Sequence, residues 1–356
     1  MKRDKGKKDE LDLSNVKKIL VVRQDDRIGN LILTTPFLSA LRQLCPRARV
    51  SYLVSRKFQA LLSGSKLVDE VLVAEKRRFI RNPFRFLSFV LKLRKERFDL
   101  AFDLSDENEF SLSNSFITYL SQARHRVGHK KENSDLFLNI QIPRPEKPRH
   151  AIDMHLDLLR FLTGDFKLVD LNLGVSPKNK RIIKEYLESK DVSENDFLAG
   201  INLGAREKKR WKLSHFESVA HWITRELNLK VIFIHGPEEK NLIEKLGKSA
   251  NDRFLFADIF PLNLLSALIE RCDLMISGDS GIMHLSVSVG TPTLAIFLDS
   301  DPVKYGPRGE KHQTILPENG EVSIKSVKGK ILYMLKNSGE KKFSQLELDL
   351  VKEKYK

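Results

Sequence analysis

Gly278-Asp279-Ser280-Gly281-Ile282-Met283-His284 stands between two apolar runs, Asp273-Leu274-Met275-Ile276-Ser277 before it and Leu285-Ser286-Val287-Ser288-Val289 after it, the second closed by Gly290. The first run has the length of a buried parallel strand, and the second ends like a helix with a glycine stop. Strand, polar turn, helix start: this order aims backbone N–H groups and the positive end of a helix at the space above a sheet. Ser280 or Asp279 can cap the helix. Gly281 removes a side chain where a ligand must come close, and His284 lies one turn further on, facing the same space. Such a turn is built to hold an anion, and a phosphate is the first candidate.

The same alternation runs outward from this turn. Strands are expected at residues 18–23, 50–54, 70–73 and 98–104, with another near 124–127. Helices are expected at 31–44, 83–97 and 151–162. Leu173-Gly174-Val175-Ser176-Pro177 reads as a linker. A second series follows, with strands at 197–202, 230–234, 253–256, 273–277 and 293–297, and helices at 214–226, 239–248, 262–270 and 282–289. Strands alternating with helices predict an α/β chain built from two doubly wound parallel sheets, and 356 residues exceed one ordinary core. The expected organisation is a disordered basic lead-in (1–15), a first Rossmann-like domain (16–175), a second (176–337) and a charged tail (338–356). Ligands of such sheets bind outside the carboxyl ends of the strands, here in a cleft between the two halves.

Charge narrows the partners. The formal net charge is +15, from 62 basic and 47 acidic residues, which favours nucleic acid, anionic lipid or phosphorylated small molecules, or simply solubility. No nucleic-acid-reading motif is present, so specific nucleic-acid binding is not expected. Residues 1–18 are charged throughout and carry no secretory signal, and no apolar run is long enough to span a membrane. The two cysteines, Cys45 and Cys272, read as core residues with reduced thiols in a cytoplasm, and they form no metal-binding pattern.

Three other loops follow expected strands. Gln24-Asp25-Asp26-Arg27-Ile28-Gly29-Asn30 lacks both the Gly-x-Gly-x-x-Gly dinucleotide pattern and the P-loop lysine, which argues against a nicotinamide enzyme or an NTPase. Its charged residues can be ordinary turn residues, but their place at a strand's carboxyl end favours a role in binding. Residues 202–211 carry Arg206, Lys208, Lys209 and Arg210 just before Trp211, and one or two of these cations are expected to meet a ligand such as a pyrophosphate. In His235-Gly236-Pro237-Glu238-Glu239, a glutamate can accept from ribose hydroxyls or interact with a helix start. Asp299-Ser300-Asp301 matches an Asp-x-Asp metal motif, but three residues are a weak signal. Residues 76–97 mix cations with Phe79, Phe84, Phe86, Phe89 and Leu93, and Glu96 is their one carboxylate. That helix can lie on an anionic membrane surface, or can pack its apolar face on the sheet with its charges in water.

These residues together resemble the family 9 glycosyltransferases, whose best-known members are the ADP-heptose:lipopolysaccharide heptosyltransferases. The resemblance runs from about residue 18 to about 335. It rests on residues 22–30 with Thr34-Thr35-Pro36, on 150–162, 204–211, 236–238 and 278–284, and on Gly290-Thr291-Pro292 and Tyr305-Gly306-Pro307. It implies the GT-B architecture, with the donor nucleotide on the second domain, the acceptor on the first, and a last helix, about 324–337, that can return to the first domain. It also implies inverting transfer, without a metal or bound cofactor, from a nucleotide-diphosphate sugar such as ADP-heptose to a lipid-linked acidic glycan at the cytoplasmic face of the inner membrane. Under it, Asp279 holds sugar hydroxyls, and Ser280, Gly281 and His284 line the diphosphate and sugar. Glu238 or Glu239 meets the ribose, Arg206 belongs to the donor-binding residues, and Arg27 and Gly29 belong to the acceptor-side loop; the helix start and Lys209 can stabilise the leaving diphosphate.

The family usually carries aspartate, as general base, where this chain has Asn30. An amide takes no proton at neutral pH, so Asp26 is expected to substitute, unless the acceptor is deprotonated late or the chain is slow or inactive. Asn30 can still orient an acceptor hydroxyl. Another family donor or glycan, or a catalytically impaired nucleotide-sugar binder, are the alternatives.

Overall fold

A computed structural model describes residues 13–63, 65–106, 110–166, 173–248 and 252–337. The chain forms two compact units, residues 1–171 and 172–356. The first unit contains β1 (Lys18–Arg23), β2 (Arg49–Val54), β3 (Glu70–Val73), β4 (Leu100–Asp103), β5 (His125–His129) and β6 (Ile140–Ile142) in one sheet, ordered β3-β2-β1-β4-β5-β6. The second contains β7 (Leu198–Asn202), β8 (Lys230–Ile234), β9 (Phe254–Phe256), β10 (Leu274–Gly278), β11 (Thr293–Ile296) and β12 (Gln313–Ile315), ordered β12-β11-β10-β7-β8-β9. All neighbours in both sheets run parallel, so helical crossovers must cover the faces. Central strands are therefore apolar on both sides: Ile19, Leu20, Val21 and Val22 of β1 are all 0% exposed. The expected α/β class with two doubly wound sheets is what forms.

Strand order reverses between β1 and β4 in one sheet and between β7 and β10 in the other. Loops leaving the carboxyl ends of such neighbours diverge to opposite faces and leave a crevice. The register pairs Ser277 with Asn202, so the two loops of the second crevice start level.

Several boundaries differ from expectation. The helix expected at 31–44 is two helices, Ile28–Ile32 and Thr35–Leu44. Pro36 has no N–H to return to Ile32, and the Thr35 hydroxyl donates to that carbonyl instead, at 2.8 Å. Edge strands β6 and β12 are only three residues each, too short to show a period. The helices Leu112–Leu120 and Pro177–Glu188 start from serine caps, Ser111 and Ser176, and neither is among the expected helices. Leu173 is buried, and its N–H donates to the Ser288 carbonyl at 2.8 Å, so the expected linker begins inside the second unit.

The last described helix, Ile324–Asn337, puts Val327, Ile331, Met334 and Leu335 into the second unit's own core. Its apolar face is used there. Residues 13–15 of the expected disordered lead-in form a 3-10 turn with Leu13 buried. Residues 1–12 and the tail, 338–356, lie outside the described residues. Cys45 and Cys272 are free and buried, and burial pushes their thiols up to about 11 and about 12. They act as small apolar core groups.

Candidate functional site

The second crevice gathers most of the residues singled out above. Asn202, buried at the end of β7, holds it together. Its amide nitrogen lies 2.9 Å from Ser277 Oγ and 3.0 Å from Ser280 Oγ, and its Oδ1 accepts from the Gly204 N–H at 3.1 Å. Ser280 is the N-cap of the helix Gly281–Ser288 and accepts from the Met283 N–H at 3.4 Å. The cap thus fixes the helix start over the end of β10, as its sequence suggested.

Asp279, 7% exposed at its side chain, is the charged centre. Its Oδ2 receives the Lys209 ammonium and the Ser300 hydroxyl. Its Oδ1 lies 3.9 Å from His284 Nε2. Close approach of the loop after β7 makes this possible: a Cβ on Gly278 would sit 2.9 Å from the Lys209 carbonyl oxygen. Glycine is required here by contact with a neighbouring backbone.

A second ion pair lies on the β8 side. Arg210 Nη2 donates to Glu239 Oε1 at 3.1 Å and to the Ala205 carbonyl at 2.7 Å. Glu239 Oε2 accepts from the Gly236 N–H at 2.8 Å, closing the turn that starts the next helix. Both suggested roles of this glutamate are thereby open to one group: it anchors the turn, and a carboxylate with one donor on each oxygen keeps lone pairs for a hydroxyl. Glu238, Arg206 and Lys208 are exposed. Of the four cations in this loop, Lys209 and Arg210 are therefore engaged by carboxylates, and Arg206 and Lys208 project outward. Trp211 is buried and donates from Nε1 to the Val322 carbonyl at 2.9 Å, pinning the end of the loop to the core. In Asp299-Ser300-Asp301, Asp301 caps a short helix through the Val303 N–H at 2.8 Å and Ser300 serves Asp279.

In the first unit, the loop after β1 is organised by Asp25, one of the charged loop residues whose place at a strand's carboxyl end favoured a role in binding. Asp25 Oδ2 accepts from Asn30 Nδ2 at 2.6 Å and from Arg23 Nη2 at 3.2 Å. Oδ1 accepts from the Arg27 N–H at 2.8 Å and from Arg27 Nε at 3.4 Å. Burial works to raise the Asp25 pKa, but the Asn30 amide, the Arg27 N–H and the two guanidinium groups together outweigh it and hold the carboxyl below its usual value. Arg23 is itself buried and also donates to the Leu104 carbonyl at the end of β4. Asp26 stands apart from Asn30: its side chain is 86% exposed, with Lys57 Nζ 3.4 Å away and the Ser55 hydroxyl donating at 3.2 Å. Gly29 is buried in the following helix, and Arg27 is exposed. The carboxylate beside Asn30 is thus Asp25 and not Asp26. Asp25 and Asn202 are the organising residues the sequence reading missed; the only sequence signal for either is its place at a strand's carboxyl end.

Comparison with known proteins bears on the family and the fold. The model for glycosyltransferase family 9 (heptosyltransferase) matches residues 86–332. The lipopolysaccharide core heptosyltransferase OpsX of Haemophilus influenzae is 20% identical over 345 residues, covering 94% of this chain and 95% of its own. A family 9 glycosyl transferase from Veillonella parvula superposes with a TM-score of 0.79 at 24% identity, over 97% of this chain and 98% of that one. The E. coli ADP-heptose lps heptosyltransferase II superposes with a TM-score of 0.76 at 18% identity, over 91% and 100%. The folds are shared along almost the full length of each chain.

Proposed function

Because the chain belongs to glycosyltransferase family 9, and is thereby a glycosyltransferase, we propose that it moves a heptose from ADP-heptose to a lipid-linked acidic glycan of the lipopolysaccharide core. ADP-heptose is the donor in the name of the E. coli relative, and core heptosyl transfer is the activity in the name of OpsX. The acceptor's lipid places the reaction at a membrane surface, on the cytoplasmic side.

One observation carries this reading: the capped helix start at Ser280, the Lys209–Asp279 pair and His284 meet at the β7/β10 crevice. The donor's diphosphate takes the helix N-terminus, where free N–H groups and the helix dipole favour an anion. The ammonium of Lys209 has three donors and gives one to Asp279, so it can still reach a phosphate oxygen. Arg206 and Lys208 add positive charge at the rim. Asp279 accepts from sugar hydroxyls, and Glu239 from the ribose.

Transfer proceeds with inversion. The acceptor oxygen forms its bond to the anomeric carbon as the bond from that carbon to the diphosphate oxygen breaks. Charge appears on the departing diphosphate, and the fixed dipoles and cations of the second unit stabilise it without a divalent ion. The acceptor's proton goes to Asp26. Asp25 is a poor base because four donors already occupy its oxygens, while Asp26 keeps open lone pairs. Asn30 spends its N–H on Asp25, which leaves its carbonyl oxygen to orient the acceptor hydroxyl.

Turnover of ADP-heptose in the presence of EDTA tests the reading, with UDP- and GDP-sugars as competitors. Transfer only from another nucleotide, or only with added metal, would overturn it. A second reading rests on Asn30 itself: with no carboxylate at that position, the chain binds nucleotide sugar without transferring it. ADP binding with no turnover on any acceptor would select it.

A further inference from the structure

The helix Pro83–Lys95 of the first unit is apolar on two faces, and packing accounts for only one. Val90 and Leu93 are buried against the sheet, with Phe79 and Phe89 packed beside them. Phe84, Leu87 and Leu91 point the other way and are 82%, 54% and 57% exposed. Their spacing of three and four places them in one outward stripe. Ile80, on the preceding helix Lys76–Arg81, is 83% exposed.

The neighbouring helix, Leu112–Leu120, repeats the pattern. Leu112, Phe116 and Tyr119, spaced by four and three, are 60%, 39% and 46% exposed. The two stripes adjoin: the Phe86 ring stacks on Phe116 with centroids 6.5 Å apart. An apolar surface of this extent is uncommon on a monomeric protein and marks a contact surface.

Cations border the stripe. Arg81, Arg85, Lys92 and Lys95 are all exposed, and the helix Pro83–Lys95 has no acidic residue. Exposed aromatic and leucine side chains rimmed by arginine and lysine suit the boundary between acyl chains and anionic headgroups, where the long basic side chains can reach the phosphates. A purely electrostatic partner would leave the leucines and phenylalanines unexplained, and a second copy of the chain would oppose cation to cation.

We propose that the outward faces of Pro83–Lys95 and Leu112–Leu120 dock the first unit on an anionic lipid bilayer. This deepens the proposed function, which supplies the lipid-linked acceptor, but the surface exists whatever sugar is transferred.

Co-sedimentation of the full chain with vesicles of phosphatidylcholine, alone or mixed with phosphatidylglycerol, tests it. The expected result is pelleting with the mixed vesicles, weakened by salt and by omission of phosphatidylglycerol. The triple variant Phe84→Glu, Leu87→Glu, Leu91→Glu should lose about 100-fold in vesicle affinity, with its unfolding midpoint and ADP affinity unchanged. A wild-type chain that stays in the supernatant, or a variant that pellets equally well, would overturn the proposal. So would a wild-type dimer that the variant dissolves, since a second copy would then cover the face. Loss of ADP binding by the wild-type chain would count against the proposed transfer reaction and leave the docking result standing.

Discussion

Asp25 and Asp26 are adjacent in the chain and opposite in environment. Asp25 balances a buried guanidinium, Arg23, and takes four donors, whereas Asp26 is exposed beside Lys57. Asp25→Asn should therefore cost stability, on the order of 3 kcal/mol, by leaving Arg23 buried without its charge partner. The urea midpoint measures this. Asp26→Ala should leave that midpoint in place and slow transfer by about 10²–10⁴-fold, the usual contribution of a general base. Asn30→Ala should do less than Asp26→Ala, and initial rates on one acceptor decide the order. If Asp26→Ala turns over normally, Asp26 is not the base. The loop was legible as functional from its place after the first strand. Which of its two aspartates would be buried was not, because the deciding partner, Arg23, is an inward-facing arginine that follows four apolar residues in its strand.

The crevice of the second unit depends on two elements meeting: the turn after β10 and the basic loop after β7. Gly278 sets their spacing. Gly278→Ala needs the Lys209 backbone to retreat from 2.9 Å, so Lys209 should leave Asp279 and ADP affinity should fall by about tenfold or more. Calorimetry reads the affinity, and a modest drop in the unfolding midpoint should accompany it. Ser280→Ala should cost about 1 kcal/mol by removing the helix cap, and should weaken ADP binding as well, since the cap holds the donor groups in place. Strand-turn-helix order around residue 278 was readable because the local signals agree: apolar run, serine cap, glycine stop. The helices after Ser111 and Ser176 carried the same cap signal. They were missed because Ser and Asn or a linker-like Ser-Pro surround it, and tertiary packing decides such cases. Edge strands β6 and β12 left no trace because only their neighbours specify them.

Across the whole chain, partly buried imidazoles make stability sensitive to acid. Burial lowers the pKa of His312 from 6.5 to about 4, and lowers those of His125 and His221 as well. Each ring is neutral in the fold and binds its proton more readily once unfolded. Stability from these sites is therefore complete above pH 6.5 and declines as the pH falls from 6.5 towards 4. Denaturant midpoints across that range should fall with falling pH, and His312→Gln should flatten part of the slope. A midpoint that rises towards acid would contradict the assignment. The net charge of +15 has a similar reach: it favours acidic ligands at both the crevice and the docking face without selecting either. What selects is local, namely a helix start and a lysine in one place and a stripe of exposed leucine and phenylalanine in the other. The most direct measurement is calorimetry of the full chain with ADP in excess EDTA, for wild type and Lys209→Met. Binding that survives the chelator and weakens by about 10- to 100-fold in the variant is the expected result. Binding abolished by EDTA, or equal in wild type and variant, would contradict a diphosphate held by protein dipoles and cations at Ser280 and Lys209.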